Sequence, residues 1–112
     1  MILVIEPDAA TRTRLVERLR DPEPVSEVAS LDEADDTLQR LASSTSCIVL
    51  GPALARGDAL RFAEKVGQRD AVGVLLVAAE LDSDVLRKAL RAGIDDVLTL
   101  DADAGEWAES VA

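Results

Sequence analysis

Short apolar runs alternate along the chain with longer segments in which apolar residues recur every three or four positions. The short runs predict β-strands at 2–5, 25–29, 47–50, 72–78 and 96–100. The longer segments predict helices at 8–21, 30–42, 57–68, 82–93 and 104–112. Because strands and helices alternate, the pattern predicts an α/β fold with one doubly wound parallel sheet. Its five strands are expected in the order 2-1-3-4-5.

Polar and glycine residues mark the ends of the predicted helices. Asp8 is placed to cap the first helix, and Ser30 with Glu33 three residues later forms a capping box. Gly93 stands at the position after the fourth helix, where a left-handed backbone is common. These signals agree with the alternation of strands and helices.

Burial is predicted from the composition of individual elements. The polar strand at 25–29 is expected near a sheet edge, whereas the apolar run at 72–78 is expected to be buried on both faces. In the helix at 57–68 the apolar face is predicted to contain Leu60, Ala63 and Val66, with Phe62 at its flank.

Length, charge and cysteine content narrow the function classes. The 112 residues suit one domain, and the net charge of −10 argues against a nucleic-acid partner. The single cysteine, Cys47, excludes an internal disulfide and is predicted to be a buried apolar residue. No apolar stretch is long enough for a membrane helix, and the N-terminus does not resemble a signal peptide. A cytoplasmic protein is expected.

In such a sheet the functional crevice lies where strands 1 and 3 end. The loops that reach it begin with the following residues: Glu6, Pro7 and Asp8; Gly51 and Pro52; Ala78 and Ala79; Leu100 and Asp101. No glycine-rich phosphate loop occurs, and no nucleophile with a partner base is present. The two acids of the first loop are interpreted as a helix cap and surface charge. We therefore predict no catalytic residue, metal or cofactor.

The segments "ILVIEPDAATRTRLVERL" (2–19) and "ALRAGIDDVLTL" (89–100) resemble the receiver domain of response regulators. The resemblance implies a flavodoxin/CheY-like fold. In active receivers two acids hold Mg²⁺, an Asp accepts the phosphoryl group, and a Ser or Thr and a Lys contact that group. The positions in this chain that match these five residues are, in that order, Glu6, Pro7, Gly51, Ala78 and Leu100. Only Glu6 keeps the required chemistry, so the resemblance implies a pseudo-receiver that is not phosphorylated.

Two further segments, "VLGPALARGDALRFAEKV" (49–66) and "GVLLVAAELDSDVLRKALRAGIDDVLTL" (73–100), narrow the resemblance. They are similar to the N-terminal domain of CpaE/TadZ-type proteins of Flp pilus assembly. In these proteins an atypical receiver precedes a P-loop ATPase domain. The resemblance implies that residues 1–112 are one pseudo-receiver domain and an N-terminal fragment of a longer protein. It also implies polar or membrane association through partners.

A receiver fold without phosphoryl chemistry suggests a protein-interaction module. In receivers the face of helix 4, strand 5 and helix 5 contacts partners or a second copy. The residues that could form this contact here are Val85, Leu86, Leu90, Val97 and Trp107. Trp107 could equally be a core anchor.

Two alternatives remain open. One is residual phosphorylation at a non-standard acid, Asp8 or Asp58. The other is a small-ligand sensor whose cavity lies beside Gly51, Ala78 and Ala79, unless Leu54 and Leu100 fill that space.

Overall fold

A computed structural model describes residues 1–19, 24–41, 44–69 and 72–100. The strands are β1 (Ile2–Ile5), β2 (Val25–Val28), β3 (Cys47–Leu50), β4 (Gly73–Ala78) and β5 (Asp96–Thr99). The helices are α1 (Ala9–Leu19), α2 (Leu31–Leu41), α3 (Arg56–Arg69) and α4 (Ser83–Arg91). The last helix predicted from the sequence, at 104–112, lies outside the described residues.

All neighbouring strands are parallel, and their order is β2-β1-β3-β4-β5. The predicted fold class and strand order are therefore confirmed. The polar strand β2 is at a sheet edge, as its composition predicted, and β4 is an interior strand. Within the described helices, none is long and apolar enough to cross a membrane.

Alternating side chains of the sheet form two hydrophobic clusters, one on each face. Leu3, Ile5 and their equivalents on the other strands pack with residues of α2, α3 and α4. Ile2 and Val4 point to the opposite face, where they pack with residues of α1. The period of two residues along each strand produces this separation. Within α3, Phe62 is buried in the core and Leu60 only partly, so Phe62 is a core residue and not a flanking one.

The helix ends largely follow their predicted signals. Asp8 caps α1 by accepting the Thr11 amide at 2.9 Å, and Ser30 caps α2 by accepting the Glu33 amide at 3.2 Å. Glu33 closes its box on the Ala29 amide, at 2.7 Å, one residue before the expected partner. Gly93, with φ of 83°, follows α4 in the left-handed conformation that favours glycine.

Candidate functional site

The ends of β1 and β3 bring Glu6 and Gly51 side by side. The two strands are neighbours, and Ile5 is in register with Leu50, so the next residue of each strand enters the same part of the crevice. The Gly51 amide donates to the Ile5 carbonyl at 2.8 Å. The register therefore fixes two of the receiver-like positions against each other.

Glu6 is completely buried and both of its carboxylate oxygens are hydrogen-bonded. Oε2 accepts the Asp8 amide at 2.7 Å, and Oε1 accepts the Ala53 amide at 2.9 Å. The interpretation of Glu6 as surface charge is wrong. Burying a carboxylate is unfavourable unless charge-assisted hydrogen bonds replace its hydration, and the two amides do so here. The side chain thereby ties the loop after β1 to the loop after β3.

The backbone of Glu6 is held as firmly as its side chain. Its amide donates to the Val28 carbonyl at 3.0 Å, and its carbonyl accepts Nη1 of Arg12 at 2.9 Å. Arg12 also forms an ion pair with Glu27 on β2, at 3.4 Å between Nε and Oε1. Arg12 therefore links α1 to the edge strand β2 and to the residue that follows β1, which fixes the position from which the Glu6 side chain extends.

Gly51 has no room for a side chain because Glu6 occupies the space. A Cβ atom added at Gly51 would lie 2.3 Å from Glu6 Oε1 and 2.8 Å from Glu6 Cβ. Both distances are shorter than real contacts of a Cβ atom, and Glu6 is held on both oxygens and cannot easily move. The carboxylate of residue 6 therefore fills the volume into which a side chain at residue 51 would extend.

Two further acids, Asp8 in the crevice and Asp58 on α3, are engaged in local contacts, and Asp101 lies outside the described residues. The side chain of Asp8 accepts both the hydroxyl of Thr11, at 2.7 Å, and its amide. These bonds, that of the hydroxyl first, hold the pKa of Asp8 below its ordinary value. Asp58, exposed in the first turn of α3, pairs with Arg61. Among the described residues, no group of three or more His, Cys, Asp or Glu side chains could hold a metal ion.

Ala78, at the end of β4, is buried beside a pocket of about 180 Å³. Gly51, Ala79 and Leu54 also line this pocket, and Arg56 is the one charged residue of its lining within the described ranges. Leu100 packs instead against the cluster on the α1 face. The expectation that Leu54 and Leu100 together fill the crevice is therefore wrong for Leu100.

A second, more open depression of about 490 Å³ lies between α2 and α3, with Pro7 at its edge. Pro7 itself is exposed and provides no ligand atom from its side chain. The cations that line the depression are engaged: Arg61 with Asp58, and Lys65 with Asp35 at 3.2 Å. Because these two cations are already paired with carboxylates, the depression presents little positive charge for binding an anion.

The interface candidates separate into buried and exposed residues. Val85 is 1% exposed and packs in the core together with Ala89, the other buried residue of α4. Because it is buried, Val85 is not available for an interface. Val97 is also buried, in the same cluster. Leu86 and Leu90 remain exposed, at 42% and 72%. Trp107 lies outside the described residues.

Sequence reasoning missed the packing of Glu6 against Gly51 and the hydrogen bond from the Ala53 amide to Glu6. The available signal was the register: an acid after one strand stood opposite a glycine after its predicted neighbour. Ala53 contributes only its amide, so its residue type carries no signal at all.

Comparisons with known proteins find structural relatives only. No protein-family model matches the chain, and no curated protein sequence matches it. A response regulator from Thermotoga maritima superposes with a TM-score of 0.85 at 17% identity, over 98% of this chain and 92% of that one. The receiver domain of an HD domain-containing protein from Pseudomonas fluorescens Pf-5 gives 0.82 at 17% identity, over 98% and 89%.

The chain has the receiver fold. A third match with this fold is a protein described as pilus assembly-related, from Burkholderia pseudomallei K96243. Its TM-score is 0.83 at 21% identity, over 98% of this chain and 87% of that one. At these identities the similarity concerns the receiver fold alone.

Proposed function

We propose that the chain is a receiver-fold interaction module that acts without phosphorylation. The observation that carries the proposal is the position of Glu6, whose buried carboxylate occupies the volume beside Gly51. An acceptor side chain at residue 51 would need that same volume. Phosphoryl transfer also requires positive charge and a bridging cation at the transferred group, and Ala78 and Leu100 supply neither.

The experiment is incubation with acetyl phosphate and Mg²⁺, followed by intact-mass measurement. A receiver domain that retains its acceptor Asp is the positive control and should gain the mass of one phosphoryl group. The chain is expected to show no adduct. An adduct that disappears in Asp8→Asn or Asp58→Asn would contradict the proposal and favour phosphorylation at a non-standard acid.

The partner of the module is proposed to be another protein or a second copy of the chain. Support comes from Leu86 and Leu90, which are exposed on α4 and add nothing to the core clusters. Sedimentation velocity over a wide concentration range tests self-association, with Leu86→Glu and Trp107→Ala as variants. A monomer at all concentrations, unchanged by either variant, would remove the dimer and leave a heterologous partner.

A finer proposal is that the module helps to localise or assemble a Flp pilus assembly ATPase, with a P-loop ATPase domain following residue 112. The resemblance of 49–66 and 73–100 to CpaE/TadZ-type proteins supports it. The pilus assembly-related protein with the same fold is consistent with it. Sequencing the gene beyond the codon for residue 112 provides the test. A Walker A motif is expected, and its absence would remove the pilus role while leaving the interaction module.

A further inference from the structure

The pocket beside Ala78, at the ends of β3 and β4, is lined almost entirely by apolar residues. Leu54, Ala59, Leu76 and Ala78 contribute to its wall, and Arg56 is the one charged residue of the described lining. Its volume is about 180 Å³. An apolar cavity of about 150 Å³ in a protein accommodates a molecule of the size of benzene, so this pocket has room for a ligand of about seven non-hydrogen atoms.

Small residues keep this space open. Gly51 has no side chain, and the methyl groups of Ala59 and Ala78 are held in the core, where these residues are 1% and 3% exposed. Leu100 packs against the cluster on the opposite face of the sheet and does not line the pocket. The pocket therefore results from the residue types at these positions, and a larger residue at position 78 would close it.

Arg56 is exposed at the start of α3 and has no ion-pair or hydrogen-bond partner among the described residues. By contrast, Arg61 on the same helix pairs with Asp58. Lys65 pairs with Asp35 at 3.2 Å. The guanidinium of Arg56 is therefore available to a ligand, and its position beside an apolar wall suits an anionic group carried on an apolar body.

The charges around the pocket restrict the charge and the orientation of such a ligand. The Glu6 carboxylate packs against Gly51, so an anionic group at that end of the pocket would be repelled. One guanidinium can pair with a carboxylate through a bidentate contact. A dianionic phosphate group would retain a charge that Arg56 alone does not compensate. These charges favour a monoanion whose apolar end points away from Arg56.

We propose that this pocket binds a small aliphatic monocarboxylate of about five carbon atoms. Its carboxylate pairs with Arg56, and its hydrocarbon chain contacts Leu54, Leu76 and Ala78. This site goes beyond the interaction module, because it adds a small molecule to the protein partner. The module does not require the ligand, so either proposal can fail alone.

The test is a titration of the isotope-labelled 112-residue chain with valerate, followed by amide NMR spectra. The amides of Leu54, Ala78 and Ala79 are expected to shift, because these residues line the pocket. The expected dissociation constant is about 1 mM, an ordinary value for a ligand of about seven non-hydrogen atoms. Pentanol, which has the same chain length without the charge, is expected to bind about tenfold more weakly. Inorganic phosphate is expected to cause no shift.

Two variants separate the contributions of charge and space. Arg56→Gln should weaken valerate binding about tenfold and leave pentanol binding within about a factor of two. Ala78→Val should abolish the binding of both ligands, because its larger side chain fills the pocket. The matched control is Arg14→Gln on α1, which packs on the opposite face of the sheet, and it should change neither affinity. The amide spectrum of each variant without ligand shows whether it is folded, and the exposed Arg56→Gln keeps the test decisive if Ala78→Val is not.

Several outcomes would overturn the carboxylate site. These are no shift at concentrations up to about ten times the expected dissociation constant, shifts spread over the surface outside the pocket, and valerate binding that Arg56→Gln leaves unchanged. Shifts of the pocket amides with inorganic phosphate but not with valerate would assign the pocket to a phosphate group instead. A phosphoryl adduct in the mass experiment would refute the proposed function while leaving the valerate result intact.

Discussion

The crevice at the ends of β1 and β3 and the outer flank of α4 use charged and apolar groups in opposite ways. In the crevice the carboxylate of Glu6 has both oxygens hydrogen-bonded and lies against Gly51. On the flank of α4, Leu90 is largely exposed and Arg91 has no partner among the described residues. Interactions satisfied within the chain stabilise folding, whereas exposed groups remain available for binding. The comparison therefore separates a stabilising region from a candidate recognition region.

The largest expected effect comes from placing an acid at residue 51. Gly51→Asp would force a side chain into the volume of Glu6 and bring two carboxylates together in a buried site. We expect a loss of about 4 kcal/mol in the free energy of unfolding, from overpacking and from a poorly compensated charge. Urea denaturation followed by circular dichroism measures it. The double variant Gly51→Asp/Glu6→Ala should recover more than half of the loss, and a Gly51→Asp protein as stable as the wild type would refute the shared volume.

A subtler change at the crevice is Glu6→Gln, which preserves size but leaves one acceptor oxygen for two amide donors. One of the amides, of Asp8 or Ala53, would then face an NH₂ group, and we expect a loss of about 2 kcal/mol. The control is Glu33→Gln, in which an exposed carboxylate accepts a single amide. The control should cost less than about 1 kcal/mol, and equal losses for the two variants would show that burial of Glu6 has no special importance.

A third prediction compares the two sides of α4 directly. Val85→Ala removes buried methyl groups and should lower the free energy of unfolding by about 1.5 kcal/mol, whereas Leu90→Ala should change it by less than about 0.5 kcal/mol. Urea denaturation of both variants tests the assignment of the inner and outer sides. A larger loss for Leu90→Ala would mean that this leucine is a folding residue, and its proposed role in partner contact would be untenable.

The smallest effect concerns Asp8, whose pKa is lowered in the folded chain by the Thr11 hydroxyl and then by the Thr11 amide. A carboxylate with a lowered folded-state pKa stabilises the protein fully above its ordinary pKa of 3.8. That contribution is lost as the pH falls through the folded-state value. The stability difference between the wild type and Asp8→Asn should therefore narrow below pH 3.8. Acid unfolding curves test this, and Thr11→Val should reduce the narrowing.

The sheet was predictable because each element has a strong local signal. Four apolar residues in each of β1 and β3, the cap at Asp8 and the turn at Gly93 all agree with the structure. The orientation of α4 was not predictable, because Val85 and Leu86 are both apolar and adjacent. Only the position of the helix on the sheet decides that Val85 is buried and Leu86 is exposed.

The role of Glu6 escaped sequence reasoning for a different reason. An acid directly after a strand is usually solvated, and nothing in its residue type indicates the two amides that surround it. One amide comes from Asp8, two residues away, but the other comes from Ala53, 47 residues away along the chain. Contacts of a side chain with a distant backbone depend on the tertiary fold and leave no pattern in the sequence.

The tight packing of Glu6 on Gly51 also constrains how the sequence can change over evolutionary time. Because Glu6 fills the space beside Gly51, residue 51 can become larger only if residue 6 becomes smaller or its carboxylate leaves the Asp8 and Ala53 amides. A single mutation that introduces an acid at residue 51 while Glu6 is unchanged would produce a poorly folded protein. The order of substitutions therefore limits which sequences can follow from this chain, and the gain of an acid at residue 51 is much less accessible than change on the surface of α4.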